Sequence, residues 1–348
     1  MSAIAADKRL SDEGREQAHA MFADHLHRLQ MVADDRTRYP EIADVKIDRP
    51  VFILGLPRCG TSMLHAIMAA DPALRAPLMW EVAAPSPPPD ERVINDPRIP
   101  AYDAYIDEIM TGVWEEGRRA HPYGALIPQE CGQILETAFQ GINPVMYFGI
   151  PDFYKWYQNA DTRFGYQVHK AWLQQFGWRT PRDRWVLKVQ EHMYHLPELL
   201  SAYPDALFVQ PHRDPVTVIA SISRLIQIAR TPAVEKLDPH ELGQEMLHLW
   251  HDGQVKMMDY RKAHPELPVY DVRYKDLVAN PVETVRGIYD FADLDFTAKS
   301  ETEIRHWLAD NPADKHGRHR YALDDYGVTE AQICAIYADY IETYQDYI

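Results

Sequence analysis

Cysteine and long apolar runs are both scarce in this 348-residue sequence. Its three cysteines are Cys59, Cys131 and Cys334, and no two of them have the short spacing of a zinc knuckle or a disulfide framework. We therefore expect free thiols and a reducing compartment, the cytoplasm. No apolar stretch reaches the length of about 18 residues that a membrane span needs. The first residues also lack the apolar core of a secretory signal.

Positive charge is the second shortage. The chain carries 36 Lys and Arg against 52 Asp and Glu, which gives a formal net charge of -16. This balance disfavours long-range attraction to nucleic acid or to an anionic membrane, so we expect neither as a partner. An anionic ligand can still bind where basic side chains and backbone N–H groups gather locally. Hydrophobic residues make up 46% of the chain, which is enough for a sizeable core.

Four short apolar stretches predict buried strands, and a helical pattern follows each of them. The predicted strands are 51–55, 184–189, 206–210 and 268–272. The predicted helices after them are 63–70, 195–202, 215–229 and 282–292. Strands that alternate with helices predict an α/β fold with a P-loop-like central parallel sheet flanked by helices.

The long interval between the first two predicted strands has a mostly helical pattern. We interpret the chain as a single domain over 1–348 with a large helical insertion at 72–183, which caps the substrate. An N-terminal helical segment covers 1–45, and a C-terminal helical part covers 300–348.

The loop LPRCGTS joins the first predicted strand to a helix and nearly matches a nucleotide-binding pattern. Gly55, Gly60 and Ser62 fit G-x-x-x-x-G-K-[ST], but Thr61 stands where the lysine belongs. That lysine neutralises the β and γ phosphates of a nucleoside triphosphate. Without it, the loop retains Arg58 and the free N–H groups of a helix start, which favour one phosphate. We also find no strand that ends in a metal-holding Asp, so we expect no metal.

The loop PRCGTS resembles the PKSGTT or PRSGTT loop of the sulfotransferases that use 3′-phosphoadenosine-5′-phosphosulfate (PAPS). In that family the loop holds the 5′ phosphate of the donor. The resemblance implies donor contacts from six consecutive residues: Arg58, Cys59, Gly60, Thr61, Ser62 and Met63.

A second motif resembles the 3′-phosphate site of the same family. Arg213 ends a predicted strand, and Ser221 lies eight residues later on the next predicted helix. The family has an Arg and a Ser at this spacing across a strand-to-helix turn. The resemblance implies that these two residues bind the 3′ phosphate of PAPS. In the segment VRYKDL, similar to the YEDL segment of the family, Tyr274 is implied to contact the adenine.

The segment KHGRHR resembles the basic, glycine-containing loop that closes over the 3′ phosphate in the family. Its matching residues are Lys315, Gly317 and Arg318. Whether Lys315, Arg318 or Arg320 makes the contact stays open. In a chain of net charge -16 this segment is a local concentration of base, which favours an anion contact.

Residues for the chemistry follow from the same resemblance. The strand WVLK ends in Lys188, at the edge where open α/β sheets place their sites, and Lys188 and Arg58 are implied to neutralise the leaving phosphate. Many cytosolic members have a histidine base two residues later, but Gln190 stands there and cannot serve. A branch that includes the tyrosylprotein sulfotransferases uses a glutamate, which corresponds to Glu81. His192 is the alternative base.

These features predict a PAPS-dependent sulfotransferase (EC 2.8.2.-) that transfers the sulfuryl group to a hydroxyl by in-line displacement. The aromatics in YFGIPDFYKWY predict either helix packing or the wall of an apolar pocket, and such a pocket favours a small, apolar alcohol or phenol as acceptor. The second product is then 3′,5′-adenosine bisphosphate. Two alternatives remain: a P-loop nucleotide kinase or triphosphatase, and a non-catalytic nucleotide-binding module. The proline-rich segment 84–100 is a candidate lid or homodimer contact.

Overall fold

The computed structural model describes residues 7–112, 122–312 and 322–348, together with Ile4 and Glu115. The chain divides into two compact units. The helical unit consists of Met1–Ile47, Ala76–Arg182 and Leu225–Leu237. The sheet unit consists of Asp48–Arg75, Asp183–Arg224 and Asp238–Ile348. The middle segment of the helical unit lies within the predicted insertion 72–183, and the assignment to a single domain stays a prediction.

A five-stranded sheet is the centre of the sheet unit, and its strand order is β2-β3-β1-β4-β5. Every neighbouring pair is parallel. The strands are β1 Val51–Ile53, β2 Leu74–Arg75, β3 Arg184–Lys188, β4 Leu207–His212 and β5 Val269–Arg273. The predicted fold class is confirmed. Four strands coincide with the predicted apolar stretches, whereas β2 was missed because two residues carry no periodic pattern.

Helices make up most of the remaining described chain. In chain order the α-helices are α1 Asp12–Arg38, α2 Thr61–Ala69, α3 Met79–Ala83, α4 Arg98–Ile109, α5 Gly132–Leu135, α6 Asn143–Phe148, α7 Pro151–Tyr157, α8 Arg163–Gly177, α9 Leu196–Ala202, α10 Pro215–Arg230, α11 Pro239–Ala263, α12 Tyr274–Ala279, α13 Pro281–Ala292, α14 Ala298–Asp310, α15 Glu330–Ile336 and α16 Ala338–Thr343. The 3₁₀ segments are Pro40–Asp44, Glu136–Ala138, Gln190–Tyr194, Thr231–Ala233 and Leu323–Tyr326.

The central strand β1 is buried along its whole length. Its middle residue, Phe52, pairs with Leu187 of β3 and Phe208 of β4. On one face of the sheet the Phe52 ring stacks on Phe208 at 6.2 Å and lies 5.3 Å from Tyr203. Parallel strands buried on both faces are continuously apolar, which is why these stretches could be recognised in the sequence. Their parallel pairing brings the carboxyl ends of β1, β3 and β4 to one edge.

The helical unit has its own core around α1. That helix begins after Ser11, whose hydroxyl accepts the N–H of Gly14 at 2.9 Å, as an N-cap does. The ring of Phe22 stacks on Phe139 at 5.3 Å. Buried around Phe22 are the other members of a cluster, Ile4, Leu10, Ala18, Phe148, Ile150 and Ala233. Within the part of the chain that the structure describes, no helix is both long and apolar enough to cross a bilayer.

Candidate active site

The loop after β1 requires a glycine at position 60 for two reasons. Gly60 has a φ of 84°, in the left-handed region that residues with a Cβ rarely adopt. A Cβ at this position would also lie 2.9 Å from Leu277 Cδ2 and 3.1 Å from Tyr274 Cδ2. Both contacting residues belong to α12, so this helix packs directly on the loop. Arg58 is likewise left-handed, with a φ of 63°, which is uncommon for a non-glycine residue.

Two hydroxyls at the start of α2 accept hydrogen bonds from the last residue of β3 and from the 3₁₀ segment that follows it. Lys188 Nζ donates to Ser62 Oγ at 3.1 Å, and Gln190 Nε2 donates to Thr61 Oγ1 at 3.2 Å. A hydroxyl that accepts such a bond still has its own proton to donate. The β3 end thus orients both hydroxyls as donors at a helix N-terminus, where an anion is favoured. Met63 lies half-buried in the same helical turn.

The two arginines of the predicted phosphate motifs belong to one connected group. Arg213 Nη1 donates to the backbone oxygen of Arg58 at 2.8 Å. Arg58 Nε donates to Ser221 Oγ at 3.1 Å, so the serine of the second motif contacts the arginine of the first. The guanidinium of Arg213 lies 4.2 Å from the centre of the Tyr274 ring, a cation–π contact. Positive charge from both motifs therefore collects at one place in the sheet unit.

A buried polar network that the sequence did not reveal lies next to Arg213. His212, the last residue of β4, lies 2.8 Å from Asp271 Oδ1 through Nε2 and 3.1 Å from Tyr340 Oη through Nδ1. Arg261 donates to both oxygens of Asp271, at 2.7 and 2.8 Å. Burial opposes the charged form of Asp271, but the bonds from Arg261 and His212 outweigh it and lower the pKa to about 2. Burial lowers the pKa of His212, and Asp271 offsets this only in part.

Cys59 lies inside the phosphate loop but is fully buried. Its Sγ is 3.6 Å from the backbone oxygen of Pro57. Burial raises the pKa of the Cys59 thiol to about 12, although the nearby charges of Arg213 and Arg58 act in the opposite direction. A thiol that stays protonated is a poor nucleophile, so the side chain of Cys59 fills space in the loop.

Comparison with known proteins decides the family. A family model described as the Sulfotransferase family matches residues 50–298, well over half of the chain. This chain belongs to the sulfotransferase family. The predicted family is thereby confirmed, and the kinase, triphosphatase and non-catalytic alternatives are not favoured. The matched region contains every part of the arginine group described above.

Two solved sulfotransferases resemble this chain over nearly its full length. The crystal structure of sulfotransferase STF9 from Mycobacterium avium has a TM-score of 0.88 and 26% identity, covering 98% of this chain and 88% of that one. Sulfotransferase STF1 from Mycobacterium tuberculosis H37Rv has a TM-score of 0.86 and 28% identity, covering 97% and 89%. Both agree with the α/β fold and with an enzyme that transfers sulfuryl groups.

A curated relative carries a more detailed name. The omega-hydroxy-beta-dihydromenaquinone-9 sulfotransferase Stf3 of Mycobacterium bovis is 22% identical over 296 residues, which is 81% of this chain and 72% of that protein. A protein of the same name from Mycobacterium tuberculosis matches equally.

The two predicted bases of this sulfotransferase have different surroundings. Glu81 belongs to the helical unit, where its Oε2 accepts the backbone N–H of Leu78 at 2.9 Å at the start of α3. His192 belongs to the sheet unit, in the 3₁₀ segment after β3, and meets the Phe52 ring edge-on at 5.0 Å. Both side chains are buried. Their assignment as the base stays a prediction.

The third predicted phosphate contact falls outside the described residues. Lys315, Gly317, Arg318 and Arg320 belong to the segment 313–321. Their roles therefore stay predictions.

Proposed function

We propose that this sulfotransferase transfers the sulfuryl group of PAPS to the hydroxyl of a small, apolar alcohol or phenol. The observation that carries the proposal is the contact between Arg213 Nη1 and the backbone of Arg58 at 2.8 Å. A donor with phosphates on both sides of one adenosine needs two cationic sites within reach of a single molecule. Contact between the two predicted phosphate motifs supports that requirement.

Binding of the 5′ phosphate is assigned to the loop after β1. Arg58 supplies the charge, while Gly60 lets the backbone approach the anion. The hydroxyls of Thr61 and Ser62 have protons to donate because Gln190 and Lys188 donate to their oxygens. The residues present therefore suit an oxygen-rich anionic group.

Binding of the 3′ phosphate is assigned to Arg213 and Ser221. The Arg213 guanidinium offers several donors in one plane, a geometry that suits phosphate oxygens. Tyr274 contacts this guanidinium with one face of its ring, and we assign the adenine to Tyr274 as well. Lys315, Gly317 and Arg318 complete the site in this proposal.

PAPS supplies an activated sulfuryl group whose S–O bond to the 5′ phosphate breaks as the bond from sulfur to the acceptor oxygen forms. Lys188 and Arg58 stabilise the negative charge that grows on the phosphate oxygen, since they are cations fixed beside the loop. Lys188 is only 1% exposed, so its charge is screened little by solvent.

The acceptor must lose its hydroxyl proton, and we assign that proton to Glu81, with His192 as the alternative. A general base typically contributes about 10² to 10⁴ in rate. Gln190 is not a base in this scheme, because its amide cannot take up the proton. The hydrogen bond from Gln190 to Thr61 gives it a role in donor binding instead.

The apolar character of the acceptor is supported by the two mycobacterial relatives, which are named as sulfotransferases of an omega-hydroxylated dihydromenaquinone. A net charge of -16 also disfavours a long anionic sugar chain as acceptor. Action in the cytoplasm belongs to the same proposal, as does a role of the segment 84–100 either as a lid or as a homodimer contact.

The test is sulfuryl transfer from PAPS to a matched acceptor set, consisting of long-chain prenyl alcohols, simple phenols and a polysaccharide. We expect turnover on an alcohol or phenol, together with tight binding of 3′,5′-adenosine bisphosphate in calorimetry. Transfer only to the polysaccharide would contradict the acceptor class. Tight bisphosphate binding with no transfer to any acceptor would contradict catalysis by this chain.

A further inference from the structure

His212, the last residue of β4, has a hydrogen-bond partner at each of its two ring nitrogens. His212 is fully buried, and its Nε2 and Nδ1 lie 2.8 Å from Asp271 and 3.1 Å from Tyr340. Asp271 is fixed in turn by two bonds from Arg261 and by the pairing of β5 with β4. Arg213 is the next residue after His212. The backbone from which the Arg213 side chain starts is therefore held by a network within the sheet unit.

The direction of each bond follows from the charges in the network. Asp271 is a carboxylate and only accepts, so His212 Nε2 must carry the donated proton. In a neutral imidazole the other nitrogen is then an acceptor, and Tyr340 donates its hydroxyl proton to Nδ1. The Tyr340 hydroxyl therefore holds the ring of His212, and His212 is bonded through the backbone to Arg213. Tyr340 thus acts on the arginine through the residue that precedes it.

Aromatic rings from the segment 337–348 cover the same histidine. Tyr344 stacks on His212 with ring centres 4.0 Å apart, and Tyr347 lies 5.5 Å away. The guanidinium of Arg261 lies 5.4 Å from the Tyr344 ring. These contacts shield the buried His212 ring from water, which strengthens the hydrogen bonds that the ring makes.

We propose that Tyr340 and His212 are positioning residues for Arg213, which binds the 3′ phosphate of the donor under the proposed function. The guanidinium of Arg213 is already held by Tyr274 and by the backbone of Arg58. Tyr340 and His212 fix the other end of the same residue. An arginine that is ordered before binding loses less conformational entropy when the phosphate arrives, which favours the 3′-phosphorylated nucleotide.

The test measures how tightly two nucleotides bind to the Tyr340→Phe variant. This substitution removes the hydroxyl and keeps the ring. Calorimetry is run with 3′,5′-adenosine bisphosphate and with adenosine 5′-monophosphate, which lacks the 3′ phosphate. We expect the affinity for the bisphosphate to fall about 3- to 10-fold, the effect of one hydrogen bond. The affinity for the monophosphate should change less than about twofold, so the preference for the 3′ phosphate falls.

Tyr337→Phe is the matched control. Tyr337 is buried in the same segment, and its hydroxyl donates to the backbone oxygen of Leu247 at 3.1 Å. This variant loses a comparable buried hydrogen bond that does not reach Arg213. We expect its stability to fall as much as that of Tyr340→Phe, with the nucleotide preference unchanged. If both variants lower the preference equally, or Tyr340→Phe leaves it intact, the inference is wrong.

A second pair of variants keeps the test valid if Tyr340→Phe does not fold. In His212→Asn an amide oxygen can still accept from Tyr340, whereas His212→Leu offers no acceptor. Only His212→Leu should then lower the preference for the bisphosphate over the monophosphate. If the two variants showed the same preference, the inference would be overturned. If the unmodified protein binds both nucleotides equally, the proposed function fails together with the inference. A wild-type preference that survives Tyr340→Phe overturns the inference alone.

Discussion

The two units place their polar side chains in different ways. In the sheet unit, Lys188 and Arg213 lie at or just after a strand end, and Arg58 lies in the loop after β1. In the helical unit, several buried polar side chains come from inside helices, and some of them meet partners far away in sequence. His25 of α1, for example, lies 3.6 Å from Glu136.

The difference shows how topology makes a site recognisable. Parallel strands bring their carboxyl ends to one edge, so short local motifs are enough to indicate which residues meet there. Packed helices have no comparable edge, and their buried polar groups serve mainly to satisfy one another. We therefore expect variants at the strand ends of the sheet unit to change binding and turnover, and variants of buried polar groups in the helical unit to change stability.

Glu81→Gln is the variant most able to break this comparison, since Glu81 belongs to the helical unit. If Glu81 is the base, turnover should fall by about 10² to 10⁴, while the affinity for 3′,5′-adenosine bisphosphate stays nearly intact. Glutamine can still accept the Leu78 N–H at the start of α3, so the fold should survive. Steady-state kinetics and calorimetry measure the two effects. Unchanged turnover would assign the general base to His192, which belongs to the sheet unit. The difference between the two units would then hold for the base as well.

Lys188→Met tests whether a strand-end residue of the sheet unit contributes to turnover. Methionine has a similar length and fits a buried position, but it lacks the charge that stabilises the leaving phosphate. We expect kcat to fall about 10² to 10³, the cost of removing one preorganised donor. The matched control is Lys299→Met, an exposed lysine of α14, which should retain full activity. A Lys188→Met enzyme with normal kcat would exclude Lys188 from the chemistry.

Arg213→Ala should change binding rather than stability. A hydrogen-bonded charge pair contributes about 1.5 to 3 kcal/mol, so the affinity for the 3′-phosphorylated nucleotide should fall about 10- to 150-fold. Affinity for adenosine 5′-monophosphate should fall less than about threefold. Calorimetry with both nucleotides makes the comparison. Equal losses would contradict the assignment of Arg213 to the 3′ phosphate.

His169→Gln should change stability rather than binding. His169 of α8 is fully buried, and burial lowers its pKa from 6.5 to about 3. Between these values the unfolded chain binds a proton that the folded chain does not, so stability is lost as pH falls below about 6.5. At pH 5 this loss is about 2 kcal/mol, and the variant should lack it.

Urea unfolding at pH 7 and pH 5 measures the effect of His169→Gln. The control is His306→Gln, whose histidine side chain is 71% exposed and should leave the pH dependence unchanged. A variant that is as acid-sensitive as the wild type would show that other groups dominate.

Chelation has the smallest expected effect. The proposed transfer uses Lys188 and Arg58 for charge stabilisation, so EDTA should leave the rate of sulfuryl transfer unchanged. The measurement is one assay with and without the chelator, followed by magnesium addition. Loss of activity that magnesium restores would contradict the metal-free scheme.

The sequence predicted the sheet well because burial on both faces leaves a strong apolar signal. Helix α9 was expected at 195–202 and is Leu196–Ala202, and α10 was expected at 215–229 and is Pro215–Arg230. Arg213 contacts the backbone of Arg58, and the assignment of both motifs to one ligand stays a prediction.

Other features depend on tertiary contacts that no local pattern encodes. His212 occurs in an ordinary strand stretch, and its partners Asp271 and Tyr340 lie 59 and 128 residues away. The bond between Gln190 and Thr61 depends on the register that pairs Ile53 with Lys188. From the sequence, Gln190 was recognisable only as a departure from the histidine of other members.

Burial of Cys59 gives the protein a built-in chemical reporter. Cys131 is buried as well, whereas Cys334 is exposed, so a maleimide dye should attach at Cys334 in the unaltered chain. We then expect fast labelling of Cys334 and slow labelling of Cys59 and Cys131. Any condition that speeds alkylation of Cys59 reports an opening of the loop, and a nucleotide that seals the loop should slow it.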